Sequence, residues 1–275
     1  MVGYITRNDL DPELQGTLIK LIHEAANAAR LEILPLFRSH RLETSNKDAV
    51  GFDPVTRADR AAERAIRTIL AKSRPDDGIL GEEFSNLESK SGLTWVVDPI
   101  DGTRGFVSGT PTWGVLIALS DKAGPFLGVV DQPYIDERFT GGFGNAECTG
   151  PSGRHLLATS DTTNLSEAIL FTTFPEVGRD QDYAGFRAVH DRVKLVRYGM
   201  DCYAYALLAA GQIDLVIEAG LQAYDIQAPI ALIEAAGGSV TNWTGGPAHM
   251  GGQVVAASNP SLLKAVLTLL ALHAD

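Results

Sequence analysis

The sequence predicts a mixed α/β protein, with an α+β N-terminal half followed by an α/β C-terminal half. Three observations carry that expectation. Two segments with helical apolar spacing precede a set of apolar runs separated by glycine-marked turns. Gly150-Pro151-Ser152-Gly153 then breaks the chain. Beyond it, strand and helix patterns alternate to the end.

Taken in order, Pro12 to Arg38 carries Leu14, Leu18, Leu21, Ile22, Ala25, Ala29, Leu31, Ile33 and Leu34 at helical spacing, which predicts one long amphipathic helix. The polar stretch from Ser39 to Asp53 reads as a loop, and Thr56 to Leu70 as a second helix with an alanine- and isoleucine-rich side. Ile79-Leu80 fits a short strand ahead of Gly81-Glu82-Glu83. Trp113 to Leu119, Pro125 to Val130 and Glu137 to Gly142 read as neighbouring strands of a largely antiparallel sheet. The halves are expected to divide as residues 1–149 and 150–275.

In the second half, strands are expected near Ile169 to Thr172, Lys194 to Arg197, Asp214 to Ile217, Ser239 to Thr241 and Val254 to Ala256. Helices are expected near Gln181 to His190, Cys202 to Ala210, Asp225 to Ala236 and Pro260 to Leu272. Gly237-Gly238 supplies a stop signal to the third of these.

Composition narrows the function. The 275 residues are 45% hydrophobic and 21% charged, ordinary for a globular protein, and the formal net charge is -11. That balance argues against nonspecific binding to nucleic acid or an anionic membrane, because a phosphate backbone needs a basic face. It leaves open a small phosphorylated substrate held through cations. Cys148 and Cys202 are too few for a disulfide framework and form no CxxC pair, so buried or incidental thiols in a reducing compartment are expected. No signal segment or apolar run of membrane-spanning length is visible, and a cytoplasmic location is expected.

The richest stretch is Trp95-Val96-Val97-Asp98-Pro99-Ile100-Asp101-Gly102-Thr103. An apolar strand runs into two carboxylates, a glycine and a hydroxyl, and Pro99 is expected to end the ladder because it has no N–H. Gly102 permits a backbone conformation in which nearby amides face an anion. Two carboxylates beside such a turn suit hard divalent cations and a phosphate, although Asp-Pro and Asp-Gly also occur as plain turns. Asp59 and Asp225 open predicted helices, where either could serve only as a favourable charge at the N-terminus. The paired Glu82 and Glu83 could equally be a solvated loop.

Together, Asp59, Gly81-Glu82-Glu83, Asp98-Pro99-Ile100-Asp101-Gly102-Thr103 and Asp225, in that order, resemble the inositol monophosphatase-like superfamily of magnesium-dependent phosphatases. The resemblance covers nearly the whole chain and implies a layered αβαβα fold. It implies that Glu82, Asp98 and the Ile100 carbonyl hold one Mg2+, that Asp98, Asp101 and Asp225 hold a second, and that Glu82 holds a weaker third. It further implies an Asp59–Thr103 hydrogen-bonded pair that orients the attacking water with Glu82, and amides of Gly102 and Thr103 that cradle the phosphate. A homodimer is the family's habit. Carboxylates and carbonyls are the oxygen donors that magnesium favours.

The stretches Arg104-Gly105-Phe106, Gly128-Val129-Val130-Asp131-Gln132-Pro133, Tyr198-Gly199-Met200-Asp201-Cys202-Tyr203-Ala204-Tyr205 and Tyr224-Asp225-Ile226-Gln227-Ala228 are similar to the histidinol-phosphate phosphatases of that superfamily. Gln222-Ala223 and Pro229-Ile230-Ala231 depart from the branch's pattern. A substrate with an ammonium and an imidazole would suit acidic pocket groups, with Asp201 a candidate contact or else a helix N-cap. Arg104 could reach the substrate phosphate or form a surface ion pair. An inositol-1-phosphate or broad sugar-phosphate phosphatase is a second reading, and a catalytically idle metal-binding regulator a third. The six histidines have no ligand spacing, and no P-loop occurs.

Overall fold

The computed structural model describes residues 4–39, 44–46 and 54–275. A 3-10 turn at Arg7–Asp9 leads into α1 (Pro12–Ile33), which starts where Asp11 accepts the amide of Leu14 and Pro12 takes the first helical position. The helix stops at Ile33, short of the expected Arg38. Pro35 has no N–H to continue the ladder, and Leu36 closes a tighter turn onto the Ile33 carbonyl at 2.9 Å. Within the stretch expected as a loop, β1 (Thr44–Asn46) pairs antiparallel with β2 (Pro54–Thr56). The rest of the expected loop from His40 to Asp53 lies outside the described residues.

After α2 (Arg57–Ser73) come β3 (Gly78–Gly81), β4 (Thr94–Asp101), the short α3 (Thr103–Ser108), β5 (Gly114–Asp121), β6 (Gly124–Gln132), β7 (Glu137–Gly142), β8 (Asn145–Gly150) and β9 (Gly153–Leu156). They form one seven-stranded sheet in chain order, antiparallel except for the β3–β4 pair. The β8–β9 hairpin was not expected. Gly150-Pro151-Ser152-Gly153 turns the hairpin inside the first sheet, and the second sheet begins at Ile169.

That second sheet contains β10 (Ile169–Thr172), β11 (Leu195–Tyr198), β12 (Leu215–Leu221), β13 (Ser239–Asn242) and β14 (Gly252–Ala257), in the order β11-β10-β12-β14-β13. The helices α4 (Asp180–His190), α5 (Tyr203–Ala209), α6 (Ala223–Ala235) and α7 (Pro260–Leu270) connect or follow its strands. β10 pairs parallel with β11 on one side and β12 on the other. The chain therefore reverses its winding between β10 and β12, where open α/β sheets leave a crevice at the strands' carboxyl ends.

Strand periodicity builds the layers. Trp95, Val97, Val115, Ile117 and Leu119 face α1 and α2, while Val96, Leu116 and Ala118 face a central layer with α5 and α6. Val216, Val254 and Ala256 close that central layer from the second sheet. Leu215, Ile217, Val255 and Ala257 face α4 and α7 on the far side. The result is the expected αβαβα stack. α6 lies so close to the first sheet that a Cβ on Gly141 would sit 2.3 Å from the Leu232 backbone, which places the helix carrying Asp225 hard against it.

Candidate active site

The acid-rich turn is shaped by an irregularity in β4. Register with β5 runs from Thr94 opposite Ser120 to Asp98 opposite Leu116, shifts, and resumes with Asp101 opposite Gly114. Pro99 thus interrupts the ladder without ending the strand, contrary to expectation, because β5 accommodates its missing N–H by a change of register. Regular pleating would send residues three apart to opposite faces. The shift brings Asp98 and Asp101 to one place, where Asp225 from the first turn of α6 joins them. One carboxylate oxygen from each of the three lies within 4.8 Å of the others.

Local hydrogen bonds hold this arrangement. The Ile100 amide donates to Asp98 Oδ1 at 3.0 Å, and the Thr103 hydroxyl donates to the Ile100 carbonyl at 3.0 Å. Asp101 Oδ2 accepts the Cys202 amide at 2.6 Å, and Asp225 Oδ2 accepts the Gln222 amide at 2.6 Å. Gly102 precedes α3 with φ of 80°, in the left-handed region. Asp225 is therefore both a helix-start residue and a member of the cluster; the two readings coexist.

A cavity of about 260 Å³ opens over the cluster. Glu82, Asp98, Ile100, Asp101, Gly102, Thr103, Arg104, Asp201 and Asp225, all expected at the site, line it together. Glu82 reaches it because β3 runs parallel to β4 and ends beside it, with the Glu82 amide on the Val97 carbonyl at 3.3 Å. Asp59 stands behind this wall, buried, in a capping box with Thr56, whose amide and hydroxyl donate to its Oδ2 at 2.8 and 2.5 Å. No hydrogen bond joins Thr103 to Asp59 among the described residues. That expected pair is replaced by Thr103 on Ile100 and Asp59 on Thr56, since the capping box claims the aspartate locally.

Asp201 is not the expected helix cap. Cys202 holds that position, and Asp201 sits at φ of 47° with its Oδ2 accepting the Thr112 hydroxyl at 2.8 Å. Its carboxylate faces the phosphate turn: a Cβ on Gly102 would lie 2.7 Å from Asp201 Cγ. Arg104 is exposed and stacks over the Phe174 ring, 4.9 Å from its centroid. Both tryptophans that flank the turn, Trp95 and Trp113, are buried core as expected, and both cysteines are free thiols.

The wall supplied by the second sheet was not anticipated. Thr173 and Phe174 follow β10, Glu218 to Leu221 end β12, and Tyr205 rises from α5, so the cavity occupies the crevice where the winding reverses. Glu218 accepts the Thr173 amide at 2.7 Å and the Thr172 hydroxyl at 3.2 Å. Its signal was present as a lone acid closing the apolar run Leu215-Val216-Ile217.

Electrostatics set the character of the site. Burial lifts the Asp98 carboxyl well above its ordinary range, and the like charges of Glu82, Asp101 and Asp225 lift it further. Burial also lifts Asp101, with Asp201 and Asp225 adding to it and the Cys202 amide opposing. Asp59 is pushed up to about 6 by burial, against the pull of Thr56, and Glu218 to about 7 by burial, against the pull of Thr173. A crowd of buried carboxylates is strained as anions and becomes favourable when a cation enters. Every donor is oxygen, the set that hard divalent ions take, so the residues fit magnesium.

The fold, and an acidic cluster that could hold a metal ion, fit the phosphoric monoester hydrolases. Residues 14–273 match the inositol monophosphatase family, and the chain belongs to that family. The bifunctional phosphatase IMPL2 of Arabidopsis thaliana, a chloroplastic protein, is 40% identical over 243 residues, covering 86% of this chain and 69% of that protein. A histidinol-phosphatase of Mycobacterium tuberculosis is 37% identical over 220 residues, 79% of this chain and 84% of that one. Among solved structures, an inositol monophosphatase from Zymomonas mobilis superimposes with a TM-score of 0.82 at 35% identity, covering 93% of this chain and 98% of that one.

Proposed function

We propose that the chain is a magnesium-dependent phosphatase acting on histidinol phosphate, releasing histidinol and phosphate in histidine biosynthesis. The observation that carries the metal-dependent reaction is the convergence of Asp98, Asp101 and Asp225 to within 4.8 Å beside the Gly102 turn. Asp98, Asp101, Asp225, Glu82 and the Ile100 carbonyl hold the ions, two or three in number. Bound magnesium supplies charge neutralisation of the phosphoryl group and activation of water. The Gly102 and Thr103 amides face the phosphate, and Thr103 and Glu82, which line the cavity, orient the attacking water.

The substrate assignment rests on the chain's likeness to histidinol-phosphatases at 32–37% identity and on the acidic cavity wall. Glu218 and Asp201 suit the ammonium and imidazole of that substrate, and Arg104 its phosphate end. A second reading, an inositol-phosphate phosphatase, is favoured by the likeness to the Zymomonas structure. No helix among the described residues is long and apolar enough to cross a membrane. Likeness to bacterial histidinol-phosphatases supports a cytoplasmic location, and we propose a homodimer from the family resemblance alone. The change from the first sheet, ending at Leu156, to the second, beginning at Ile169, supports a division between halves in that stretch.

Phosphate release from histidinol phosphate, inositol-1-phosphate and fructose-1,6-bisphosphate, with and without magnesium, tests both parts. The proposal predicts a magnesium requirement and the highest kcat/KM on histidinol phosphate. Equal rates on inositol-1-phosphate would overturn the substrate, and full activity in chelator would overturn the metal.

A further inference from the structure

We propose that Gln132 and Cys202 form a buried clamp that sets Asp101 as a metal ligand, an inference resting on the reading of the acid cluster as a cation site. Asp101 Oδ2 takes the main-chain N–H of Cys202 at 2.6 Å. That N–H is delivered from an unusual backbone: Asp201 just before it has φ of 47°, and Cys202 opens α5 without any side-chain cap. The local chain does not fix this amide by helix geometry alone.

The Cys202 side chain supplies the missing anchor. Gln132 Nε2 donates to Cys202 Sγ at 3.3 Å, and both residues are buried. Gln132 ends β6 next to Asp131, which Arg30 and Arg138 bind at 2.7 Å each. The line Gln132–Cys202–Asp101 therefore ties the carboxylate to a rigid strand of the first sheet through a residue of the α/β half.

Two further features show that the sequence makes room for this link. Gly114, opposite Asp101 in the β4–β5 register, leaves a space in which a Cβ would lie 2.6 Å from Gln132 Nε2 and 2.7 Å from Cys202 Sγ. Among the described residues, Gln132 Oε1 is buried without a hydrogen-bond partner. A methionine would fill a similar volume without that cost, and what the glutamine amide adds here is the N–H on Cys202 Sγ. Groups that orient a metal's ligand typically change metal affinity by about 10–100-fold when removed.

The test is direct Mn2+ binding, by calorimetry and electron paramagnetic resonance, to the wild-type chain, Gln132→Met, Cys202→Ala and the double variant. Circular dichroism and thermal unfolding establish that each is folded. Each single change is expected to weaken Mn2+ binding about ten-fold, and the double variant no further, because both break one link. Binding within about two-fold of wild type in either folded single variant would overturn the clamp, as would losses that add in the double. Should Gln132→Met fail to fold, Cys202→Ala breaks the same link from the other side. A wild-type chain that binds no Mn2+ would instead overturn the cation reading, and this inference with it.

Discussion

Asp98 on β4 and Asp131 on β6 are both buried in the first half of the chain, yet their surroundings are opposite. Asp131 is gripped by two guanidiniums, Arg30 through Nε and Nη2 and Arg138 through Nε, at 2.7–2.8 Å. Asn27 braces Arg138 in turn at 2.8 Å. Asp98 instead feels Glu82, Asp101 and Asp225, all of its own sign, on top of its burial. The protein balances the first charge from within, and the second calls for a cation from outside. A buried acid with internal counterions holds a fold together. Buried acids crowded together mark a place where something binds.

Replacing each aspartate sharpens the contrast. Asp98→Asn should lower phosphate release by roughly a thousand-fold or more, since the pivotal ligand is lost, with the fold kept. Steady-state kinetics on any accepted monoester checks this. Asp131→Asn should leave the buried Arg138 guanidinium without its carboxylate, while the half-buried Arg30 keeps Asp136, and cost about 3 kcal/mol of stability, read by urea unfolding.

Glu218 tests the same idea at the cavity wall through pH. Its carboxyl sits at about 7, above the unfolded value of about 4.3. Between those values the folded state binds the extra proton, so this group's contribution worsens as pH rises and is fully unfavourable above pH 7. In chelator, Glu218→Gln should therefore stabilise the protein by roughly 3–4 kcal/mol at pH 8, the gain vanishing below about pH 4.5. Thermal melts of both proteins across that range show it. The smallest effect is expected for Arg138→Lys, which keeps charge but loses the fork to Asp131 and Asn27, at about 1 kcal/mol by urea unfolding.

The parts of the molecule that read clearly from sequence are those whose cause is local. The layered order, the helix starts at Asp11 and Thr56, and the strand into Asp98 all follow from spacing and caps. The early end of α1 was equally local, written in Pro35 but outweighed by the apolar residues beyond it. Features that depend on a distant partner stayed hidden. The register shift past Pro99 exists because β5 runs alongside, and the β8–β9 hairpin has few buried residues to give it a period. Glu218 joins the site only because β10 and β12 part beside it. Asp59 was recognised as a site residue, but its capping partner Thr56, although only three residues away, was passed over for Thr103 across the fold.

The central claim is that the Asp98 cluster takes its balancing charge from a cation while Asp131 does not. Thermal unfolding with and without magnesium, on wild type, Asp98→Asn and Asp131→Asn, tests it most directly. At roughly a hundred-fold excess over Kd, magnesium should raise the wild-type midpoint by about 5–10 °C. Asp131→Asn should melt lower but show the same rise, and Asp98→Asn should show little or none. A full rise in Asp98→Asn, or no rise in wild type, would contradict the account.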